Sequence, residues 1–195
     1  MRRTLVIVIT AGVLAVAAVG TAGCARGAAG GPSAKEASAR DGPAGAPRAA
    51  IYVPVLRRYL STPTENSFPG HAFKTVYVLD QAFPNAGNPV GKQVRGTPIA
   101  PGTQHQITAA LAGMARVAFI ADRHTVIETR DGCAQVEDGG ILITLGTPDG
   151  DHHRVKVAIN GFVACLGATW LTYVVQNQPG TGWRVTGTTG AMAIS

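Results

Sequence analysis

Charged and aromatic residues are sparse in this sequence, at 14% and 6% of 195 positions. The low charge excludes the charge-rich composition of a wholly disordered chain, and 25 glycines with 12 prolines are too few for a collagen-like one. Hydrophobic residues make up 46% of the chain, so a folded core is predicted. The length allows one ordinary domain with extensions.

The N-terminal apolar run is too short to span a bilayer stably. It extends from Leu5 to Val19, and its 15 residues would reach about 22 Å as a helix, short of the roughly 30 Å hydrocarbon core. Arg2 and Arg3 precede it and small residues follow it, which is the order of a secretory signal. The sequence therefore predicts export, with residues 1–23 as the signal peptide.

The tetrapeptide Thr21-Ala22-Gly23-Cys24 resembles the lipobox of bacterial lipoproteins, with Thr21 in place of the preferred leucine. This resemblance implies that Cys24 carries a diacylglyceryl group and becomes the first residue of the mature chain. The alternative is an unmodified cysteine beside an ordinary cleavage site. Acyl chains such as palmitate, at about 0.8 kcal/mol for each CH₂, would anchor the protein to the outer face of the cell membrane. The whole chain resembles secreted lipoproteins of actinobacterial type, which implies cell-surface attachment and no particular activity.

A flexible tether is predicted over residues 24–48. Residues 25–48 include eight Ala, five Gly, three Pro and two Ser, a composition with an r.m.s. span of about 25–30 Å. The formal charge of +6 lies mostly in the signal and the tether, since residues 49–195 have 11 basic and 9 acidic residues. No three basic residues are consecutive in that region, so nucleic acid is not an expected partner.

Cys133 and Cys165 lack the Cys-x-x-Cys spacing of a thioredoxin-like redox motif. In an exported domain they are predicted to form a disulfide, because thiols are usually oxidised outside the cytoplasm. A bridge closing about 31 residues would stabilise the fold by roughly 3–4 kcal/mol. The alternative is a pair of free, buried thiols.

Two helices are predicted, at 49–60 and from Pro101 onwards. Each has one apolar face, composed of Tyr52, Val55, Leu56 and Tyr59 in the first and of Ile107, Ala110, Leu111 and Met114 in the second. Strands are predicted at 73–80, 117–121, 141–145, 154–159, 168–175 and 183–186, with 191–194 extending the last. Asn160-Gly161 fits a hairpin turn or a bulge, and we favour a bulge in one long bent strand.

This order of elements predicts an α+β domain over residues 49–195, in which both helices pack on a bent antiparallel sheet, and it disfavours a parallel βαβ fold. The strand Trp170-Leu171-Thr172-Tyr173, a turn and Gly182-Trp183-Arg184-Val185 resemble the C-terminal part of cystatin-like and nuclear-transport-factor-2-like folds. The resemblance implies that the N-terminal helix lies in the concavity of a strongly bent sheet.

No catalytic residue, metal or cofactor is assigned from the sequence, which has no Gly-x-Ser-x-Gly elbow. Asp149-Gly150-Asp151-His152-His153 is the densest set of metal-ligand types, but a solvated turn explains it without metal. His124, beside Asp122 and Arg123, has no matching nucleophile. Arg57 and Arg58 are interpreted as a solvated face rather than an anion site. The Phe83 to Pro98 loop is interpreted as exposed, and is either functional or a simple insertion.

Two classes of function remain. The first is a non-catalytic binding or interaction module on the cell surface for a small molecule, a glycan or a protein partner. The second is a hydrolase-like envelope enzyme with a pocket in the sheet concavity. An Asp and a His within hydrogen-bond distance in a pocket would favour the enzyme, whereas a shallow apolar cleft would favour the binding module.

Overall fold

The computed structural model describes residues 47–70, 72–92 and 94–195. The predicted signal peptide, Cys24 and the tether up to residue 46 lie outside them. The helices are α1 (Arg48–Ser61), α2 (Pro63–Asn66) and α3 (Pro101–Leu111). None of the helices in these ranges has the length and apolar character needed to cross a membrane.

Twelve short and long strands account for most of the remaining regular structure in these ranges. They are β1 (Thr75–Leu79), β2 (Gln81–Ala82), β3 (Thr97–Pro98), β4 (Arg116–Ile120), β5 (Ile127–Arg130), β6 (Cys133–Val136), β7 (Ile141–Leu145), β8 (Asp149–Gly150), β9 (Arg154–Ala164), β10 (Gly167–Gln178), β11 (Gly182–Thr188) and β12 (Ala193–Ile194). Short 3-10 turns span Arg123–Thr125 and Glu137–Gly139. The domain is therefore α+β, as predicted.

The main sheet is mixed, in the order β11-β10-β9-β7-β1-β4, so the prediction of an antiparallel sheet was wrong for the two pairs that β1 makes. Strands β7, β9, β10 and β11 are antiparallel neighbours, but β1 is parallel to both β4 and β7. The helix α3 returns the chain to the starting end of the sheet, which makes β1-α3-β4 a βαβ unit. One such unit inside a hairpin-rich chain produces no regular alternation of strands and helices along the sequence.

The predicted apolar face of α1 is confirmed. Its side chains Tyr52, Val55, Leu56 and Tyr59 are fully buried in the large core, which also includes β-strand side chains from β1 to β10. The second helix begins at Pro101 as predicted but ends at Leu111. Met114 lies beyond that end and is 45% exposed, so its assignment to the apolar face was wrong.

The prediction of one long strand through Asn160-Gly161 is confirmed, but the bulge lies further along. Ala168 pairs with Phe162 and Gly167 with Ala164, which leaves Val163 as the extra residue. Gly161 has a different reason to be glycine, because a Cβ there would collide with the Tyr59 hydroxyl.

The two faces of the sheet are covered by different elements. Alternation along β9 places Val155, Val157 and Ile159 in the large core beneath α1 and α3, while Asn160 belongs to the opposite face. On that second face, Val136 of the β5–β6 hairpin packs in a smaller apolar cluster.

The segment from Phe83 to Pro98 is irregular as predicted, apart from the β2–β3 pairing at its end. Most of its described residues are exposed, as predicted, but its beginning is not, because Ala86 is only 7% exposed. A Cβ on Gly87 would lie 3.0 Å from Thr172 Oγ1 and 3.1 Å from Ala158 Cβ. The loop therefore packs closely on the second face of the sheet.

Candidate functional site

An open cleft of about 800 Å³ lies beside α1, between α3 and the edge strand β11. Its lining residues come from three separate parts of the chain. They are Pro47, Ala49, Ala50, Val53, Pro54, Arg57 and Arg58 from the first helix and its start, Gln106 and Ala110 from α3, and Thr181, Gly182, Trp183, Arg184 and Val185 from β11 and the turn before it.

Three guanidinium groups line this cleft, and they differ in how fully their hydrogen-bonding capacity is used. Arg57 donates from Nη2 to the carbonyl oxygen of Ala110 at 2.7 Å, at the C-terminal end of α3. Arg58 is paired with Glu65. Arg184 has no side-chain partner within the described ranges and is exposed. Side chains alternate along a strand, and Trp183 and Val185 pack against the large core beside α1, so the Arg184 side chain leaves β11 on the opposite face. The cation most available to a ligand in the cleft is therefore that of Arg57, through the N–H groups that do not bond to Ala110.

The pairing of Arg58 is built into the fold. Its Nε lies 2.9 Å from Glu65 Oε2, and its Nη2 lies 2.5 Å from Oε1. The same carboxylate accepts a 2.7 Å hydrogen bond from the hydroxyl of Tyr173, a buried residue of β10. Because Arg58 is half exposed, we expect the pair to fix the position of α2 more than to add stability.

These contacts perturb the ionisation of both acidic partners. The hydrogen bond from Arg58 is the main cause that lowers the pKa of Glu65 below its ordinary 4.5. A carboxyl with a lowered pKa contributes stability above that ordinary value, and the contribution is lost as the pH falls through the folded-state pKa. Burial, followed by the bond to Glu65, raises the pKa of Tyr173. Tyr173 therefore stays a neutral donor.

Trp183 supplies the aromatic surface of the cleft. It is half buried, and it packs with Val185 against the large core. Val53 and Pro54 form the facing wall on α1. The cleft thus combines an apolar floor with guanidinium groups at its rim, and none of its described lining residues is acidic or a histidine.

The structure places Asp149-Gly150-Asp151-His152-His153 in the exposed strand β8 and the exposed turn that joins it to β9, consistent with the solvated-turn interpretation. Asp151 Oδ1 accepts hydrogen bonds from the backbone N–H groups of His153 and Arg154, which hold the pKa of this carboxyl below its usual range. Within residues 47–70, 72–92 and 94–195, no three His, Cys, Asp or Glu side chains are grouped to hold a metal ion.

The histidine at position 124 belongs to a local turn. Its backbone N–H donates to Asp122 Oδ1 at 2.9 Å, so Asp122 caps the short 3-10 turn. Arg123, which lies between Asp122 and His124 in the chain, lines a pocket described below.

The structure brings Cys133 and Cys165 to disulfide distance, with their Cα atoms 5.4 Å apart. They join the start of β6 to the turn between β9 and β10. The predicted lipidation site Cys24 lies outside the described residues.

Sequence reasoning named Arg57 and Arg58 but not the other half of the cleft. Trp183 and Arg184 were recognised only as part of a strand, because their position opposite α1 depends on β11 being the edge of the sheet. Comparison with protein-family models, with curated proteins and with solved structures found no match to this chain.

Proposed function

We propose that this protein is a non-catalytic binding module of the cell surface, whose cleft beside α1 binds a small organic anion with an apolar body. The observation that carries the proposal is that the Arg57 guanidinium, held by its bond to Ala110, lines the same cleft as the half-buried Trp183. A guanidinium recognises carboxylate, sulfonate or phosphate oxygens, and an indole packs against an apolar or aromatic group.

The size and the charge of the cleft both support this ligand class. Its volume of about 800 Å³ falls within the roughly 300–1,000 Å³ of small-molecule sites. Arg57 faces the same space, while Glu65 neutralises Arg58. The Arg57 cation therefore remains for an anionic group, and Val53, Pro54 and Trp183 remain for its apolar part. No Asp–His pair lines the described cleft, so its lining residues supply binding groups, and a binding module is the function proposed.

Anilinonaphthalene sulfonate is a suitable probe because it joins an anionic group to an aromatic body. We expect saturable binding to the domain, seen as increased probe fluorescence and a change in Trp183 emission. Replacing Arg57 by Gln should weaken binding about tenfold, since it removes one charge-assisted hydrogen bond to the probe. Titration of wild type and variant by fluorescence measures the effect.

Arg123→Gln is the matched control, because Arg123 is an exposed arginine that lines a different pocket. It should leave probe affinity unchanged. Equal affinity of the wild type and the Arg57→Gln variant would contradict the proposal. A change in tryptophan emission on probe binding that persists in Trp183→Phe but is lost in Trp170→Phe would also contradict it. Thermal unfolding of each variant checks that the fold is retained.

We also propose that Cys24 is lipidated and that the tether links it to the domain, as in the lipoproteins that the sequence resembles. The order of basic residues, short apolar run, small residues and cysteine supports this proposal. A Cys24→Ala variant of the full chain, expressed in an actinobacterial host, should shift from the membrane pellet to the soluble fraction. The wild-type chain is the reference. A variant that remains wholly with membranes would contradict lipid as the cause of attachment.

We also propose a more specific fold within the α+β class. The burial of α1 against β10 and β11 supports a cystatin-like or nuclear-transport-factor-2-like arrangement, with the helix inside a bent sheet. The parallel β1-α3-β4 unit departs from that expectation, and it places α3 beside α1 as the second wall of the cleft.

A further inference from the structure

A second pocket, of about 270 Å³, lies on the opposite face of the sheet between the Phe83 to Pro98 loop and the turn that includes Arg123. We propose that this pocket binds a single pyranose ring carrying a carboxylate, as a uronic acid does. The proposal concerns a different site and a different ligand class from the cleft beside α1. It can therefore be tested independently of the proposal for that cleft.

The floor of the pocket is a pair of polar residues on adjacent strands. Thr144 of β7 and Asn160 of β9 are register partners, so their side chains lie side by side on the second face. Asn160 Nδ2 donates to the carbonyl oxygen of Thr169 at 3.0 Å, which orients the amide and leaves Oδ1 available. The Thr144 hydroxyl has no hydrogen-bond partner within the described ranges and can both donate and accept.

One wall consists of two more carboxamides, both in the Phe83 to Pro98 loop and each held by a hydrogen bond within that loop. Asn85 Nδ2 donates to the carbonyl oxygen of Lys92 at 2.5 Å, and Asn88 Oδ1 accepts from the Val90 N–H at 3.1 Å. A Cβ on Gly91 would lie 3.0 Å from Asn88 Nδ2 and 3.1 Å from Asn85 Nδ2, so the two amides converge above this glycine. Each amide keeps one polar atom unused by these bonds.

The other wall provides the charge. Arg123 follows Asp122, whose carboxylate is used to cap the turn. The Arg123 guanidinium has no partner within the described residues, and no acidic residue lines the pocket. Its free donors therefore suit an anionic group at the mouth of the pocket.

This set of groups favours a sugar over other small ligands. Amides and a hydroxyl together offer donors and acceptors in the alternating manner that vicinal hydroxyls require, and Leu79 and Phe83 supply an apolar surface for the C–H face of a ring. The volume fits one ring rather than an extended oligosaccharide. The cation of Arg123 then distinguishes a ring that carries a carboxylate from a neutral one.

The test is a titration of the folded domain with D-glucuronate, D-galacturonate, D-glucose and D-galactose, followed by NMR shifts. We expect at least one uronate to bind with a Kd on the order of millimolar, and the matching neutral sugar to bind about tenfold more weakly. Arg123→Gln should remove that difference. Thr144→Val, which keeps the side-chain shape, should weaken both sugars about fivefold.

Two variants at exposed positions of β11 serve as matched controls, Arg184→Gln and Thr188→Val, and neither should alter sugar binding. The proposal is overturned if no sugar of the four binds, if uronate and neutral sugar bind equally to the wild type, or if Arg123→Gln and Thr144→Val bind as the wild type does. Circular dichroism and thermal unfolding confirm that each variant is folded. Probe binding to the cleft is scored separately, so failure here leaves the cleft proposal unaffected.

Discussion

Replacing Gly161 by Ala is expected to lower the free energy of unfolding by about 3–5 kcal/mol, by overpacking and by disrupting a buried hydrogen bond. A Cβ at this position of β9 would collide with the hydroxyl of Tyr59. That hydroxyl is hydrogen-bonded to Thr169 Oγ1, and both residues are fully buried. The new methyl group cannot be accommodated unless α1 moves away from the sheet or the bond breaks.

Gly187→Ala is the matched control for this prediction. Gly187 also lies in a β-strand, and a Cβ there would meet nothing within 4 Å. We expect its effect to stay within about 0.5 kcal/mol. Urea unfolding followed by circular dichroism measures both variants. A loss of less than about 1 kcal/mol for Gly161→Ala would show that the helix and sheet are not packed as closely as described.

A double-mutant cycle locates the collision. Tyr59→Phe alone leaves the buried Thr169 hydroxyl without its partner and should cost about 1–2 kcal/mol. Combined with Gly161→Ala, Tyr59→Phe removes the colliding oxygen atom. The loss of unfolding free energy in the double variant should therefore be smaller than the sum of the losses in the two single variants. Strict additivity would place the cause of the Gly161→Ala effect elsewhere in the structure.

Removal of the proposed bridge by Cys133→Ser with Cys165→Ser is expected to lower the free energy of unfolding by about 3–4 kcal/mol in the chain-entropy model. The two residues are separated by 32 positions, which sets the size of the loop. Apart from the bridge, strand β6 of the β5–β6 hairpin pairs with β9 at one register position only, Gln135 with Ala164. We therefore expect amide exchange in this hairpin to accelerate more than in β9 and β10.

Intact-mass measurement establishes the starting state of the thiols. The purified domain, alkylated without reductant, should take up no label at Cys133 or Cys165, and two labels after reduction. Reduction of the wild-type domain is the control, because it breaks the bridge while keeping both side chains. Labelling of both thiols without reductant, or equal stability of the double variant, would contradict the bridge.

Local patterns predicted the elements that depend on local sequence. The i, i+3, i+4 spacing of Tyr52, Val55 and Leu56 predicted α1 and its buried face, because a helix buries such a stripe wherever it packs. Strand pairing was harder to predict from local sequence. Whether β1 pairs in parallel with β4 depends on where α3 lies, and its neighbour β7 is far along the chain. Composition cannot reveal that contact.

The candidate sites were less predictable than the fold, because each is assembled from distant segments. Asn160 was interpreted through its glycine neighbour as a turn or bulge signal, and only the register with Thr144 shows that it forms a pocket floor. Arg123 was considered only as a neighbour of His124. The loop from Phe83 to Pro98 was identified as a candidate, but its packing on the sheet depends on Gly87 meeting Ala158 and Thr172.

The position of β1 in the middle of the main sheet affects how the chain acquires its structure. Both of its partners, β4 and β7, come later in the sequence. During synthesis from the N-terminus, the strand with Val76-Tyr77-Val78 therefore emerges before either partner, whereas the β9–β10 hairpin can form from contiguous residues. We expect both edges of β1 to stay unpaired, and open to pairing with other chains, until β4 and β7 have been made.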